Sequence, residues 1–353
     1  MPFRILSVAY TFAPASPNAV GGAEQVLAAM DRAIVAEGHR SVVVAAEGSD
    51  VAGQLWSFPA PPAHVLSEDD QRFTRAQLQA TLDRALASER VDLIHMHGLD
   101  FAEYRLPSNI PVLITLHLPI DWYPQKAWSV ANVQFCCVSQ AQRATAPKSL
   151  RNAAVVQNGV ALPPFDPGLP REQFALALGR ICPEKNQHEA LEAGTRAGIP
   201  VYLAGQVFRY REHCEYFEEK IRPLLEAPNP GHRFLESLSL ERKQDLLARA
   251  RCLLHPTLAP ETSSLVAMEA LAAGTPVIAY ASGALPEIVE HGRTGFLVDG
   301  VHAMAEAVGM LDRISSCECR AAAEQRFSQQ RMIRGYFALY EQLIHPLRER
   351  NYA

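Results

Sequence analysis

The chain has 353 residues, enough for two domains that each bury a hydrophobic core. Its 33 basic and 38 acidic residues argue against a general nucleic-acid-binding surface. Seven cysteines lack the spacing of a disulfide framework, and no apolar run approaches the roughly 18 residues that cross a bilayer. Because residues 1–9 also do not form a secretory signal, we expect a cytoplasmic protein with at most peripheral contact at the inner membrane face.

In the first half, short apolar runs alternate with longer amphipathic segments. This alternation is typical of parallel strands joined by helices. The predicted strands are 5–9, 41–46, 93–97, 112–116, 135–138 and 154–157, and the predicted helices are 23–36 and 72–88.

Four prolines within residues 162–170 exclude regular structure there, so we interpret this segment as a domain linker. The alternation resumes beyond it. The predicted strands of the second half are 174–178, 201–204, 233–235, 253–255, 277–280 and 296–298. The predicted helices are 187–197, 211–225, 240–250, 265–273, 301–311 and a final amphipathic helix, 330–348.

The sequence therefore predicts an α/β fold with two doubly wound, Rossmann-like domains. Their predicted ranges are residues 1–164 and 165–329, with a separate C-terminal helix at 330–353. Open parallel sheets bind ligands beyond the carboxyl ends of their strands. We therefore expect the two domains to face each other across a cleft that strand-end loops line.

Two acids, Glu261 and Glu269, are eight residues apart across a predicted loop-to-helix junction. Eight helical residues rise about 12 Å and return close to the same helix face, a span comparable to that of a sugar diphosphate. The alternative is an ordinary helix that carries one acid near its start and one solvated acid later.

The predicted helix start between these acids offers backbone amides. Thr262 and Ser263 are predicted to cap the helix, and Gly274 is predicted to end it. The amides of Ser263, Ser264 and Leu265 would then form an anion site at the positive end of the helix dipole.

Residues 260–279 resemble the E-x7-E signature of family 4 of the retaining glycosyltransferases, whose fold is called GT-B. Further motifs similar to this family follow the same order along the chain: Gly21-Gly22-Ala23-Glu24, residues 92–98, Thr115-Leu116-His117, Val138-Ser139, Asn158-Gly159-Val160, residues 178–186 and Leu203-Ala204-Gly205. The chain departs from the family motif at one place, where it has Thr262-Ser263-Ser264 and the family usually has Pro-Phe-Gly. This departure bears on the identity of the donor sugar.

The resemblance implies a site for a nucleotide diphosphate sugar, with a UDP- or GDP-sugar as the expected donor. Arg180 and Lys185 match the family's phosphate-binding pair. Gly21 and Gly22 match a loop that closes over the donor phosphates and the acceptor. Taken alone, these residues would be two solvated cations and an ordinary turn.

The resemblance also assigns the remaining site residues. Glu261 would contact hydroxyls of the transferred sugar, Glu269 would accept from the ribose hydroxyls, and His117 would lie at the reacting centre. Phe234 and Leu235 fall where the family lines its base pocket. The final helix would cross back to the first domain.

Three histidines lie near predicted strand ends. A strand-end histidine such as His117 is more often structural, and we interpret His95 as a core residue and His97 as a cleft residue. A metal site formed by these three stays open as an alternative, although no suitably spaced carboxylate accompanies them.

The predicted function is a retaining glycosyltransferase that moves a hexose to a hydroxyl acceptor without a metal or other cofactor. The sequence leaves the acceptor open between a lipid-linked molecule, a saccharide and a small molecule. In the mechanism that the resemblance implies, a phosphate oxygen takes the acceptor's proton. The alternatives are a nucleotide-sugar epimerase on the same fold and a non-catalytic protein that binds a nucleotide sugar.

Overall fold

The computed structural model describes residues 2–60, 66–228 and 230–352, and the chain divides into two units. One unit comprises residues 1–158 and 330–353, and the other comprises residues 159–329. The predicted domain ranges also contain Met1, residues 61–65, Asn229 and Ala353, which lie outside the described residues.

A parallel sheet forms the centre of the first unit. Its described strands are β1 (Arg4–Val8), β2 (Arg40–Ala46), β3 (Gln54–Phe58), β4 (Leu93–Met96), β5 (Val112–Leu116), β6 (Val133–Cys137) and β7 (Ala154–Val155). They run in the order β3-β2-β1-β4-β5-β6-β7. The chain order therefore reverses between β1 and β4, and such a switch point is where this class of sheet binds its ligands.

Both faces of this sheet are covered. Apart from the C-terminal helix, the described α-helices of the unit are α1 (Gly22–Ala36), α2 (Glu68–Ser88) and a short α3 (Gln140–Ala144). Alternate residues of β1 point to opposite faces, so that Leu6 packs in the cluster that contains Leu78 of α2, whereas Ile5 packs in the cluster that contains Met30 of α1. Burial on both sides explains why the strands are nearly continuous apolar runs.

The second unit is built on another parallel sheet. Its described strands are β8 (Ala175–Leu178), β9 (Val201–Ala204), β10 (Arg233–Phe234), β11 (Cys252–His255), β12 (Val277–Tyr280) and β13 (Gly295–Val298). Their order is β10-β9-β8-β11-β12-β13, so the switch point lies between β8 and β11. The accompanying helices are α4 (Gln187–Ala197), α5 (Arg211–Tyr216), α6 (Arg222–Glu226), α7 (Leu240–Arg249), α8 (Leu265–Ala272), α9 (Leu285–Ile288), α10 (Val301–Gly309) and α11 (Ser316–Arg326).

The last helix, α12 (Gln329–Tyr352), packs against the first unit. Met332, Tyr336 and Tyr340 of this helix are buried together with Ile5 of β1 and Val26 of α1. The apolar side of the amphipathic pattern thus completes the core on one face of the first sheet.

The predicted α/β class with two Rossmann-like parallel sheets is confirmed. The prediction of a single α-helix over 211–225 was wrong in one respect. A π-helical segment, Phe217–Ile221, separates α5 from α6. Strand β3 and helices α3, α9 and α11 were not predicted. The cysteines carry no disulfide, and among the described helices none combines the length and apolarity that crossing a membrane requires.

Candidate active site

The predicted phosphate residues lie in the loop that follows β8, beside the switch point of the second sheet. The loop passes very close to the end of β9, where Gly205 has φ of +158°. Any side chain at Gly205 would collide with the Gly179 carbonyl, so glycine permits this close approach. Asn186 ends the loop in the left-handed region, with φ of +57°, and its side-chain amide donates to Pro256 O at 3.1 Å. The backbone that carries Arg180 and Lys185 is therefore fixed at both ends.

Arg180 is exposed at this strand end. Among the described residues, no hydrogen bond or ion pair holds its guanidinium, although its backbone carbonyl accepts from Gln187 Nε2 at 2.6 Å. The guanidinium therefore remains available for a ligand.

Lys185 is joined to the loop that follows β11. Its ammonium contacts the Glu261 carboxylate, whose Oε1 atom also lies 3.4 Å from His255 Nε2. Burial on its own would raise the pKa of Glu261, but Lys185 and His255 outweigh it and hold that pKa well below its usual range. Glu261 is thus a carboxylate at neutral pH and is not a proton donor.

The start of α8 follows directly. The predicted caps were wrong, because the N-cap is Ser264, whose hydroxyl accepts from Ala267 N at 3.4 Å and lies 3.2 Å from His255 Nε2. Among the described residues, no hydrogen bond takes the amides of Ser263, Ser264 and Leu265. The Ser263 hydroxyl is also buried without a partner. Hydrogen-bond donors without a described partner therefore collect at the helix start.

Glu269 lies on the second turn of α8 and pairs with a residue that the sequence did not reveal. Lys243 of α7 contacts Glu269 Oε1 at 2.6 Å. The other oxygen, Glu269 Oε2, is buried and has no partner. Since buried polar atoms in proteins nearly always form hydrogen bonds, this oxygen is a free acceptor for a ligand hydroxyl.

A cavity of about 510 Å³ opens beside β9 and β10. Phe234 lines it together with Phe217, whose ring centre lies 4.9 Å away. Both Phe234 and Leu235 pack against the core of the unit, but only Phe234 of this pair also lines the cavity. Phe217 is an aromatic lining residue that sequence reasoning missed.

In the first unit, the glycine pair lies at the start of α1. Gly22 is the first helical residue, one position earlier than predicted, and Gly21 is the N-cap with an extended φ of −84°. A side chain at Gly21 would collide with the Glu24 carboxylate. The atoms met are the far end of a flexible side chain, so a small residue at position 21 would need only a shift of Glu24, and the extended backbone does not call for glycine either.

His117 follows β5 and contacts a second histidine. Its Nε2 atom lies 3.2 Å from His97 Nδ1, and the His95 ring centre lies 3.9 Å from that of His97. Burial lowers the pKa of His95 to about 3 and that of His117 to about 4, and the pKa of His97 is also well below its ordinary value. All three rings are neutral at pH 7. His97 is buried rather than lining a cleft, which corrects the sequence interpretation.

Two buried side chains position the His117 backbone. The Tyr123 hydroxyl accepts from the amides of His117 and Leu118, at 2.9 and 3.2 Å. Gln142 Nε2 donates to the carbonyls of Leu116 and Leu118, at 2.9 and 2.7 Å. These bonds hold the backbone on both sides of His117.

The buried histidines predict a pH dependence of stability. Their pKa values in the folded protein lie below the unfolded value of about 6.5. Their contribution to the free energy of unfolding is therefore fully present above pH 6.5 and is lost as the pH falls below it. The loss is about 1.4 kcal/mol per pH unit for each ring. We expect the first unit to be less stable at pH 5.5 than at pH 7.5, and His95→Asn to reduce this difference by about 1 kcal/mol. Denaturant unfolding followed by tryptophan fluorescence measures this, because Trp56, Trp122 and Trp128 all belong to the first unit.

The control for this measurement is His302→Asn, a substitution of an exposed histidine. It should keep the wild-type difference between the two pH values. An unchanged difference in His95→Asn would show that this ring is not held neutral by burial.

Solved structures with the same architecture are glycosyltransferases and related enzymes of the GT-B type. Sucrose-phosphate synthase from Thermosynechococcus elongatus has a TM-score of 0.78 at 18% identity, over 98% of this chain and 100% of that chain. Anabaena HepE in complex with UDP and glucose has a TM-score of 0.74 at 19% identity, over 97% of this chain and 100% of that chain. At these identities the likeness shows the GT-B fold alone.

Two family models divide the sequence between them. The model described as Glycosyltransferase Family 4 matches residues 20–162, and the model described as Glycosyl transferases group 1 matches residues 164–330. The chain belongs to the family 4 glycosyltransferases.

Curated relatives match different lengths of the chain. The D-inositol 3-phosphate glycosyltransferase of Mycolicibacterium smegmatis is 32% identical over 216 residues, which are 56% of this chain and 49% of that protein. The match therefore spans about half the length of this relative. Spore coat protein SA of Bacillus subtilis is 22% identical over 376 residues, which cover 92% of this chain and 96% of that protein.

Proposed function

We propose that this protein transfers a hexose from a nucleoside diphosphate sugar to a hydroxyl acceptor, with retention of the anomeric configuration. The observation that carries the proposal is the convergence of three elements at the switch point of the second sheet. Lys185 after β8 contacts Glu261 after β11, and Glu261 just precedes the free amides at the start of α8. Cations and amides in this arrangement suit a diphosphate.

In this proposal, Arg180, Lys185 and the helix amides stabilise the charge that grows on the leaving diphosphate as the glycosidic bond breaks. The acceptor oxygen forms the new bond to the anomeric carbon, and its proton passes to a phosphate oxygen. Glu261 binds the transferred sugar. None of these steps requires a protein acid or base.

The nucleoside part of the donor would occupy the region between α8 and β10. The free oxygen Glu269 Oε2 suits a ribose hydroxyl, because it is a buried acceptor without a partner. The flat rings of Phe217 and Phe234 suit a base. A UDP-sugar is the first donor to test, since the HepE structure contains UDP and glucose.

Product analysis tests the proposal. The protein is incubated with UDP- and GDP-hexoses and with hydroxyl acceptors, including D-inositol 3-phosphate because several relatives bear that name. The expected result is free nucleotide together with an α-linked product from an α-linked donor, identified by NMR. An altered sugar nucleotide would indicate an epimerase, and tight donor binding without turnover would indicate a binding protein.

We expect transfer to survive exhaustive chelation. The leaving-group charge is assigned to Arg180, Lys185 and helix amides, so no divalent cation is needed at the diphosphate. The measurement compares initial rates before and after dialysis against chelator. An absolute requirement for an added divalent metal would contradict the assignment, whereas a modest stimulation is compatible with it.

A further inference from the structure

Three side chains with metal-binding atoms come together beside the phosphate loop. Cys182 and Glu184 belong to the turn that follows β8, and His213 projects from α5. One potential ligand atom from each residue lies within 4.8 Å of the other two. The sequence did not predict this group, because His213 is distant along the chain and no motif joins it to the turn.

The group contains polar atoms whose bonding is incomplete. Cys182 is fully buried and His213 is 6% exposed. Both His213 Nδ1 and Glu184 Oε2 are buried without a hydrogen bond partner. A buried polar atom without a partner costs free energy, and two of them in one small cluster point to a ligand that bonds to both.

The Glu184 backbone is held firmly. Its carbonyl accepts from Leu258 N at 2.9 Å, from Ala259 N at 3.3 Å and from Thr257 Oγ1 at 3.2 Å. These bonds tie the turn to the segment after β11. The carboxylate therefore projects from a fixed position.

Two aromatic rings hold the histidine. The ring centres of Phe208 and Tyr210 lie 6.3 and 5.2 Å from that of His213, and both rings meet it edge-on. The His213 ring is therefore oriented before any ligand arrives. Such orientation lowers the entropy that metal binding would cost.

We propose that Cys182, Glu184 and His213 form a three-ligand Zn²⁺ site. Sulfur, imidazole and carboxylate together are the ligand set that zinc prefers among common divalent cations. Ligand atoms on a zinc tetrahedron are about 3.3 to 3.8 Å apart, so a small contraction of the cluster would satisfy the geometry. The fourth position is left to water.

The positive charge of Arg180 opposes the binding of a cation at this site. Its guanidinium interacts electrostatically with all three residues. Two anionic ligands, the thiolate and the carboxylate, balance the zinc charge, so the occupied site would present no net positive charge to Arg180. Since Arg180 is exposed, its side chain can also move away when zinc binds.

Calorimetric titration of the metal-stripped full chain with zinc chloride, in the absence of nucleotide, tests the proposal. We expect one zinc per chain, and a loss of affinity of roughly 10-fold or more in each of Cys182→Ser, Glu184→Gln and His213→Gln. Cys214→Ser is the matched control, because this exposed thiol neighbours His213 outside the group. It should leave the affinity within about twofold.

Cobalt substitution provides a second measurement that identifies the ligand. We expect a thiolate-to-cobalt charge-transfer band that Cys182→Ser abolishes and Cys214→Ser retains, with circular dichroism confirming that both variants fold. Absence of stoichiometric zinc binding, or equal affinity in all variants, would overturn the site. Because no nucleotide is present, this outcome is independent of the proposed transfer reaction.

Discussion

Arg180→Ala is expected to lower turnover by roughly 30- to 1000-fold while the protein stays folded. Loss of one charge-assisted contact that strengthens in the transition state costs on the order of 2 to 4 kcal/mol. The fold should tolerate the change, because the side chain is exposed and no described residue forms a hydrogen bond or ion pair with its guanidinium. Steady-state rates with saturating donor measure the effect.

Arg313→Ala is the matched control, because Arg313 is also an exposed arginine of the second unit. Its turnover should equal that of the unchanged protein. If Arg180→Ala also keeps full turnover, the guanidinium does not stabilise the leaving diphosphate.

The expected effect of Lys185→Ala differs from that of Arg180→Ala in one respect. It should also reduce turnover, but it removes the ammonium that neutralises Glu261, a side chain only 11% exposed. A buried carboxylate without its cation destabilises the fold. Lys185→Ala should therefore lose both turnover and thermal stability, whereas Arg180→Ala should lose turnover alone.

The sequence predicted most strands because buried parallel strands are short apolar runs between turn residues. Strand β3 was missed because it lacks such a run. Four of the five residues from Gln54 to Phe58 in this edge strand are not fully buried. A strand at the edge of a sheet packs against fewer neighbours and leaves a weaker pattern.

The sequence placed Arg180, Lys185 and Glu261 in loops that follow predicted strands, and they follow β8 and β11, because strand ends are recognisable from the sequence. It could not show which side chains meet. Lys243 pairs with Glu269, and His255 lies near both Glu261 and Ser264, yet Lys243 lies on another helix and His255 ends a buried strand. Such pairs depend on how the elements pack, and local patterns carry no information about them.

Changing Glu261 and Glu269 to glutamine should have two different kinds of effect. Glu269 Oε2 is the free acceptor that we assign to the ribose, and a neutral amide is a poorer acceptor than a carboxylate. Glu269→Gln should therefore weaken the binding of free nucleotide by about 1.5 to 3 kcal/mol, or roughly 10- to 150-fold. Calorimetry with UDP measures this affinity.

Glu261→Gln should leave the affinity for free nucleotide nearly unchanged while it lowers turnover, because Glu261 is assigned to the transferred sugar, which free UDP lacks. The change also removes the negative charge beside Lys185, so circular dichroism must first confirm folding. Lys243→Met separates a direct role of Glu269 from the role of its partner, since it breaks their ion pair but keeps the carboxylate. Equal losses of nucleotide affinity in the two glutamine variants would mean that the acids do not divide the donor between ribose and sugar.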